Sequence, residues 1–312
     1  MLARVADRIF WMSRQVERAE SLARILGVTS NMVLFGSAAL QRQNLVAPLS
    51  ITGTEEAFHE MHRELELPEL IEFLALDPAN PNSIYSCLRL ARENAHEVRW
   101  QITSEMWETL NGTWLELRRM RASRVTGAGA TEFLDWVKER SLLFNGAYAN
   151  TMLRNDAYFF TRLGTFIERA DNTARILDVK YHLLLPADEP VGGSLDYFQW
   201  SAILRTVSAN TAYHWVYRDS LKPWLVADLL ILNEQMPRSL ASCYENLVRH
   251  ADAIAHAYGR QGPAQRKARA VHTRLQNSKM DEIFQSGLHE FIGGFISDNN
   301  QLGAALSEQY LM

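Results

Sequence analysis

An all-α protein is the fold class this sequence predicts, and three observations predict it. Apolar residues recur at three- and four-residue spacing along most of the 312 residues. No stretch sustains the alternation of a half-buried strand. An eleven-residue segment, VERAESLARIL at Val16 to Leu26, returns as IERADNTARIL at Ile167 to Leu177, identical at seven positions. Together these predict a multi-helix bundle built from two tandem repeats of one helical unit. The repeats would be residues 1–150 and 151–312, related by a pseudo-two-fold axis and packed as one compact domain.

In chain order, Leu2, Val5, Ile9, Met12, Val16, Ala19, Ala23 and Leu26 predict a first helix from Leu2 to Met32. Trp11, Leu22 and Ile25 add a second apolar line, as on a helix surrounded by neighbours. Pro48 and Gly53 mark Gly36 to Thr54 as a loop. Helices follow at Glu55 to Glu66 and Pro68 to Leu76. Asn80 is a good N-cap and Pro81 suits a first helical position, so a long helix is expected over Asn82 to Leu110, closed by Asn111-Gly112. Trp114 to Arg124 reads as a basic helix, Val125 to Ala130 as a loop and Thr131 to Asn150 as a helix. The second Glu-Arg helix is expected over Asn155 to Leu185, then a loop over Pro186 to Ser194. Helical pattern continues over Leu195 to Trp215, Leu221 to Leu232, and Pro237 to Tyr258. A turn over Arg260 to Pro263, basic helix residues to Leu275 and one or two closing helices complete the chain.

The repeat is wider than its opening motif. Phe73 to Ala95 aligns with Leu229 to Ala251, matching Leu74/Leu230, Leu76/Leu232, Pro81/Pro237, Ser83/Ser239, Ser86/Ser242, Cys87/Cys243 and Ala95/Ala251. Ala57-Phe58-His59 aligns with Ala212-Tyr213-His214, and the offset drifts only from 151 to 156. Pro, Ser and Cys falling in register set this apart from a chance likeness between amphipathic helices.

Composition narrows the function classes. Apolar content of 47% with 22% charge is that of a globular protein, and a net charge of −4 gives no general pull toward nucleic acid or anionic membrane. Two cysteines allow neither a disulfide framework nor a Cys-based zinc site. Arg4, Asp7, Arg8 and Arg14 interrupt the only candidate signal core, and no apolar run is long enough to span a membrane. A cytoplasmic protein is the expectation.

The charged residues on the repeated helices are the candidates for function. Glu17, Ser21 and Arg24 form one row, and Glu168, Asn172 and Arg175 repeat it. Glu20/Arg24 and Asp171/Arg175 are acid-to-base pairs four apart, the favourable orientation. Arg18 and Arg169 fall among apolar residues, where a guanidinium must be paired. Two ionic networks, one per half, are therefore expected. They would either fix helix register or line a pocket for an anionic or zwitterionic ligand, which Arg suits by bidentate recognition. Glu17 and Glu168 are the candidate acid/base residues. Arg99, Glu105, Trp107 and Asn111 form a further constellation, with Glu105 a possible partner of Arg18 or Arg24. Glu56/His59 and Glu93/His96 have the Glu-x-x-His spacing of di-iron bundles, but both fall in the first half, with Glu17 before and Glu168 after them. No metal or other cofactor is expected, and a di-metal oxidase is a minor alternative. Basic clusters at Arg118, Arg119, Arg121 and Arg124, and at Arg260, Arg266, Lys267, Arg269 and Arg274, read as solvated faces or as docking surfaces for an acidic partner. They lack the aromatic interleaving of a nucleic-acid binder. No phosphate loop or nucleophile motif occurs, and Cys87 and Cys243 read as packing residues.

The run LARVADRIFWMSRQVERAESLARIL, with NPNS downstream, the Arg99, Glu105, Trp107, Leu110-Asn111 row and PRSL in the second half, resembles the bacterial alpha-E domain family. That family is all-helical and named for a Glu-Arg motif, here Glu17-Arg18, and the resemblance covers essentially the whole chain. Gln15 departs from it where an aromatic is frequent, and Ser21 where Asn is frequent, while Asn172 keeps the Asn in the second half. The resemblance implies association with circularly permuted ATP-grasp ligases, and with transglutaminase-like and peptidase-like proteins. The implied role is a component of a system that makes or modifies a peptide or amide. It would dock to the ligase and bind a peptide or amino-acid group near Glu17, Arg18, Glu20, Arg24, Arg99, Glu105, Glu168, Arg169, Asn172 and Arg175. The alternative is a ligase or transferase in its own right.

Overall fold

A computed structural model describes residues 1–34, 37–120, 125, 127–182 and 193–311. Among them it contains fifteen α-helices and no strand. The all-α class is therefore correct. The chain divides into two compact units, Met1–Glu168 with Tyr310–Met312, and Arg169–Gln309.

The first unit is organised on α1 (Ala3–Met32), which packs against α5 (Ile84–Glu97) and α7 (Ala130–Thr151) and also touches α2 (Ala38–Thr52) and α4 (Leu67–Ala75). Surrounded in this way, α1 buries Ile9, Met12, Leu22 and Leu26 on several faces. Phe58 on α3 (Glu55–Met61), Leu74 and Cys87 share one core with Ala19 and Leu26. Between α5 and α7 lies α6 (Ser104–Leu117). Then α8 (Asp156–His182) begins. A Cβ on Gly164 would lie 2.3 Å from the Phe10 carbonyl oxygen and 2.2 Å from Ser13 Oγ. Only glycine lets the two helix backbones approach that closely.

The second unit holds α9 (Ser194–Thr206), α10 (Asn210–Tyr217), α11 (Pro223–Ile231), α12 (Leu240–Ala257), α13 (Pro263–Asn277), α14 (Met280–Ser286) and α15 (Leu288–Leu306). α13 packs against α12 and α15. Tyr244 and Phe295 meet edge to face in its core, and the Tyr244 hydroxyl donates to Asn299 at 3.0 Å.

The matched Pro-Ser blocks build the same turn in each unit. Asp77 Oδ1 accepts from the Ala79 N–H at 2.8 Å, and Asn233 Oδ1 accepts from the Gln235 N–H at 2.9 Å. Ser83 Oγ donates to the Asp77 carbonyl and caps α5 by accepting from the Ser86 N–H; Ser239 Oγ does the same with Asn233 and Ser242 ahead of α12.

Several boundaries correct the expectations. The stretch expected as a loop over Gly36 to Thr54 contains α2, because Asn44, Leu45, Pro48 and Leu49 bury one face of it. Pro48 is tolerated inside that helix, and Gly53, at φ 65°, ends it. The cap of α5 is Ser83, three residues beyond Asn80, whose side chain instead holds the preceding turn through the Phe73 carbonyl and the Asn82 N–H. The expected Asn82 to Leu110 helix is two helices, broken where Thr103 caps α6 by accepting from the Met106 N–H. Asn111-Gly112 lies inside α6 and ends nothing. Likewise Leu195 to Trp215 breaks between α9 and α10, where Ser208 takes φ 56°. The cap of α12 is Ser239, beyond the expected start at Pro237. Of the expected Val125 to Ala130 loop, Gly127–Gly129 forms a 3-10 turn. Most of the expected Pro186 to Ser194 loop, together with Arg121 and Arg124, lies outside the described residues.

Candidate functional site

The close approach of Gly164 to Phe10 and Ser13 places the next turn of α8, four residues on, against the following turns of α1. Glu168 there is 2% exposed. Arg18 grips it side-on, with Nε donating to Oε1 at 2.6 Å and Nη2 to Oε2 at 3.1 Å. Arg14 Nε donates to Oε2 at 2.8 Å. Arg14 also lies over the Trp11 ring at 4.5 Å, a cation–π contact. The remaining Arg18 Nη1 donates to Asn82 Oδ1 at 3.2 Å, tying the pair to the turn before α5.

Burial alone would push the Glu168 carboxyl up, but the Arg18 and Arg14 charges and their hydrogen bonds more than offset it and hold it below the ordinary range. Glu168 is thus a saturated carboxylate, poorly suited to taking or giving a proton near neutral pH. Burial pushes the neighbouring Cys87 thiol up to about 12, with Arg18 working against that shift and Glu168 adding to it. Cys87 is a neutral packing thiol whose Sγ points to the Asn82 carbonyl at 3.8 Å.

This joins Arg18 of the first motif to Glu168 of its copy, and it corrects the expectation of one separate network per half. Sequence spacing places residues on a helix face; which helix that face meets is decided by packing, here at Gly164.

Glu20 and Arg24 form the expected pair, 2.7 Å apart, and Ser141 Oγ of α7 donates to the second Glu20 oxygen at 2.5 Å. Glu20 is fully buried and Glu17 is 2% exposed. In the copy, Arg175 Nε meets Asp171 Oδ2 at 2.6 Å, while Asp171 Oδ1 is buried without a hydrogen-bond partner. Arg169 and Asn172 are partly buried beside this pair on α8.

The Arg99 constellation is only partly assembled. Trp107 lies under both Arg99, at 5.2 Å, and Arg92, at 5.6 Å, and Arg92 Nε donates to Asn111 Oδ1 at 3.2 Å. Glu105 is exposed on the first turn of α6 and pairs with neither Arg18 nor Arg24. Arg92 was missed from sequence; it lies on α5, whereas Arg99 falls in the turn just beyond that helix, so helical spacing did not link the two. Of the Glu-x-x-His residues, Glu93 pairs with Arg89, His96 lies against Trp107, and His59 lies edge-on to Phe58, a helix away from Glu93. Among the described residues no three His, Cys, Asp or Glu side chains come together where they would hold a metal ion. Within the basic stretch of α13, Arg269 pairs with Asp252 and Arg274 with Asp298. Lys267, Arg274, Asp298 and Gln301 line a shallow groove of about 290 Å³ there. Among the described residues no helix is long and apolar enough to cross a membrane.

The model of the Alpha-E family, a predicted alpha-helical domain with a conserved ER motif, matches residues 1–311. The chain is also similar to the uncharacterized proteins Rv2567 and MT2643 of two Mycobacterium tuberculosis strains and Mb2597 of Mycobacterium bovis. Each is 23% identical over 304 residues, covering 90% of this chain and 33% of the relative. The chain thus spans about a third of the length of these curated relatives. No solved structure matches it.

Proposed function

The chain belongs to the Alpha-E family, and from that premise we propose that it is a helical, non-ATP-using component of a peptide or amide ligase system. It docks to a circularly permuted ATP-grasp partner and holds a peptide, amino-acid or acyl-phosphate group near the Glu-Arg networks. The association with ATP-grasp, transglutaminase-like and peptidase-like proteins is what the family resemblance implies. The observation that carries the non-catalytic half of the reading is the saturation of Glu168. A carboxylate held ionised by two arginines is a fixture of binding or architecture, and the adjacent Cys87 is no nucleophile. The rival reading, an enzyme using Glu17 or Glu168 as acid and base, gains no support from that geometry at Glu168.

Docking is supported by a braced aromatic ridge in the second unit. Trp215, 77% exposed, and Val216 on α10 stand beside a turn leading to exposed Trp224 on α11. Tyr213 holds that turn, its hydroxyl donating to the Ser220 carbonyl at 2.8 Å and accepting from the Lys222 N–H at 3.0 Å. Exposed tryptophans on a rigid support are favoured anchors for a partner protein. The test is co-purification with the ATP-grasp partner, repeated with Trp215→Ala and Trp224→Ala. Retention of the partner, weakened by these changes, is expected. No association, with ligase activity unchanged when this chain is omitted, overturns the reading.

A further inference from the structure

One face of α8 carries an alternating row of cations and aromatics. Arg154, just before the helix, is followed at four-residue steps by Tyr158, Arg162 and Phe166. The alternation is physical as well as sequential. Arg154 lies over the Tyr158 ring at 4.5 Å and donates to its hydroxyl; Arg162 lies over the Phe166 ring at 4.3 Å. Across from this row, α7 presents buried Tyr148, whose ring is 6.2 Å from that of Tyr158. Arg162 Nη1 donates to the Tyr148 hydroxyl at 2.5 Å.

Among the described residues neither Arg154 nor Arg162 has an ion pair, in contrast to Arg14, Arg18, Arg24 and Arg175. Arg162 is partly buried, and its Nε is buried with no acceptor. Its Nη2 has no protein acceptor among the described residues, and neither does the Tyr148 hydroxyl proton. Stacking on Phe166 stabilises the charge but gives the buried Nε–H no acceptor. Arg162 and Tyr148 therefore hold more donors than the described residues accept from, which is an arrangement suited to receiving an anion.

We propose that Arg162, with Tyr148 and Arg154, forms an oxyanion-binding site for a carboxylate or phosphate group. Arg162 supplies its guanidinium charge and the N–H groups not used by Tyr148. The Tyr148 hydroxyl orients the guanidinium and offers its own proton, and Arg154 adds charge at the exposed end. The site is separate from the Glu168 network, where every arginine already has its acid. It is read on the chain alone, so its failure and the failure of the docking reading are distinguishable.

The test is calorimetric titration of the full chain, at constant ionic strength, with inorganic phosphate, with triglycine and with triglycine amide. Saturable binding of phosphate identifies a phosphate site; binding of triglycine but not of its amide identifies a carboxylate site. Arg162→Lys, which keeps the charge and loses the fork, is expected to weaken the bound anion about tenfold or more. Tyr148→Phe, which removes one oriented hydrogen bond, is expected to weaken it about threefold. Far-UV circular dichroism and melting confirm the fold of each variant. Should Arg162→Lys not fold, Tyr148→Phe and Arg154→Gln carry the same test. Absence of saturable binding by all three probes, or binding that these substitutions leave unchanged, overturns the proposal.

Discussion

Two eleven-residue segments identical at seven positions end in different electrostatic settings. In the first, Glu20 is fully buried and anchored twice, by Arg24 and by Ser141. In the copy, the shorter Asp171 reaches only Arg175, which is 33% exposed, and leaves Oδ1 buried without a partner. Glu168 of that same copy is nonetheless among the most tightly held carboxylates described, because it faces two arginines of α1, Arg18 of the first segment and Arg14 just before it. At the Glu20 and Asp171 positions the duplicated motif therefore does not duplicate its interactions. Burial and the third partner decide whether an ion pair matters, and each is supplied by a different neighbouring helix.

The largest expected effect breaks this comparison at its strongest point. Arg18→Met leaves Glu168 buried with Arg14 alone and is expected to cost about 3 kcal/mol, whereas Arg175→Met removes the more exposed partner of a partly exposed pair and is expected to cost under about 1 kcal/mol. Urea denaturation of both variants checks this, and equal losses would refute the distinction. A smaller effect is expected from Ser141→Ala, which takes one hydrogen bond away from the buried Glu20 carboxylate. It should cost about 1–2 kcal/mol by the same measurement, and Ser141→Thr should recover part of that. The smallest is a pH dependence. The native Glu168 carboxyl lies below its ordinary value of about 4.3, so its contribution is complete above that pH and is lost as pH falls through the lowered native value. Urea midpoints measured from pH 6 down to pH 3 should therefore fall more steeply for the wild type than for Glu168→Gln.

Helix content and the duplicated blocks were legible because periodicity and capping residues are local signals. The Ser83 and Ser239 turns show how local: each closes through hydrogen bonds within a few residues. What was not legible depended on distant neighbours. Pro48 reads as a breaker until the burial of Leu45 and Leu49 outweighs it. The break at Thr103 was hidden because apolar spacing carries on through Val98, Ile102 and Met106. For the candidate site, the sequence pointed to Glu168 and Arg18 as buried charges but could not pair them. It offered Glu105 as a partner only because no spacing rule reaches from one helix to another. The Arg154, Tyr158, Arg162, Phe166 row was visible in principle as a four-residue alternation. It is conspicuous only once the structure leaves its arginines without acids.

Gly164 has a bearing on which length changes this lineage can tolerate. The missing side chain that lets α8 touch α1 and the carboxylate that the arginines grip are four residues apart on one helix. Inserting or deleting one residue between them would leave both in place chemically but turn Glu168 by about 100° around the helix axis. The contact would be kept and its charge aimed elsewhere. Over Gly164 to Glu168 the count of residues is itself the inherited character, and substitutions should be far commoner there than gaps.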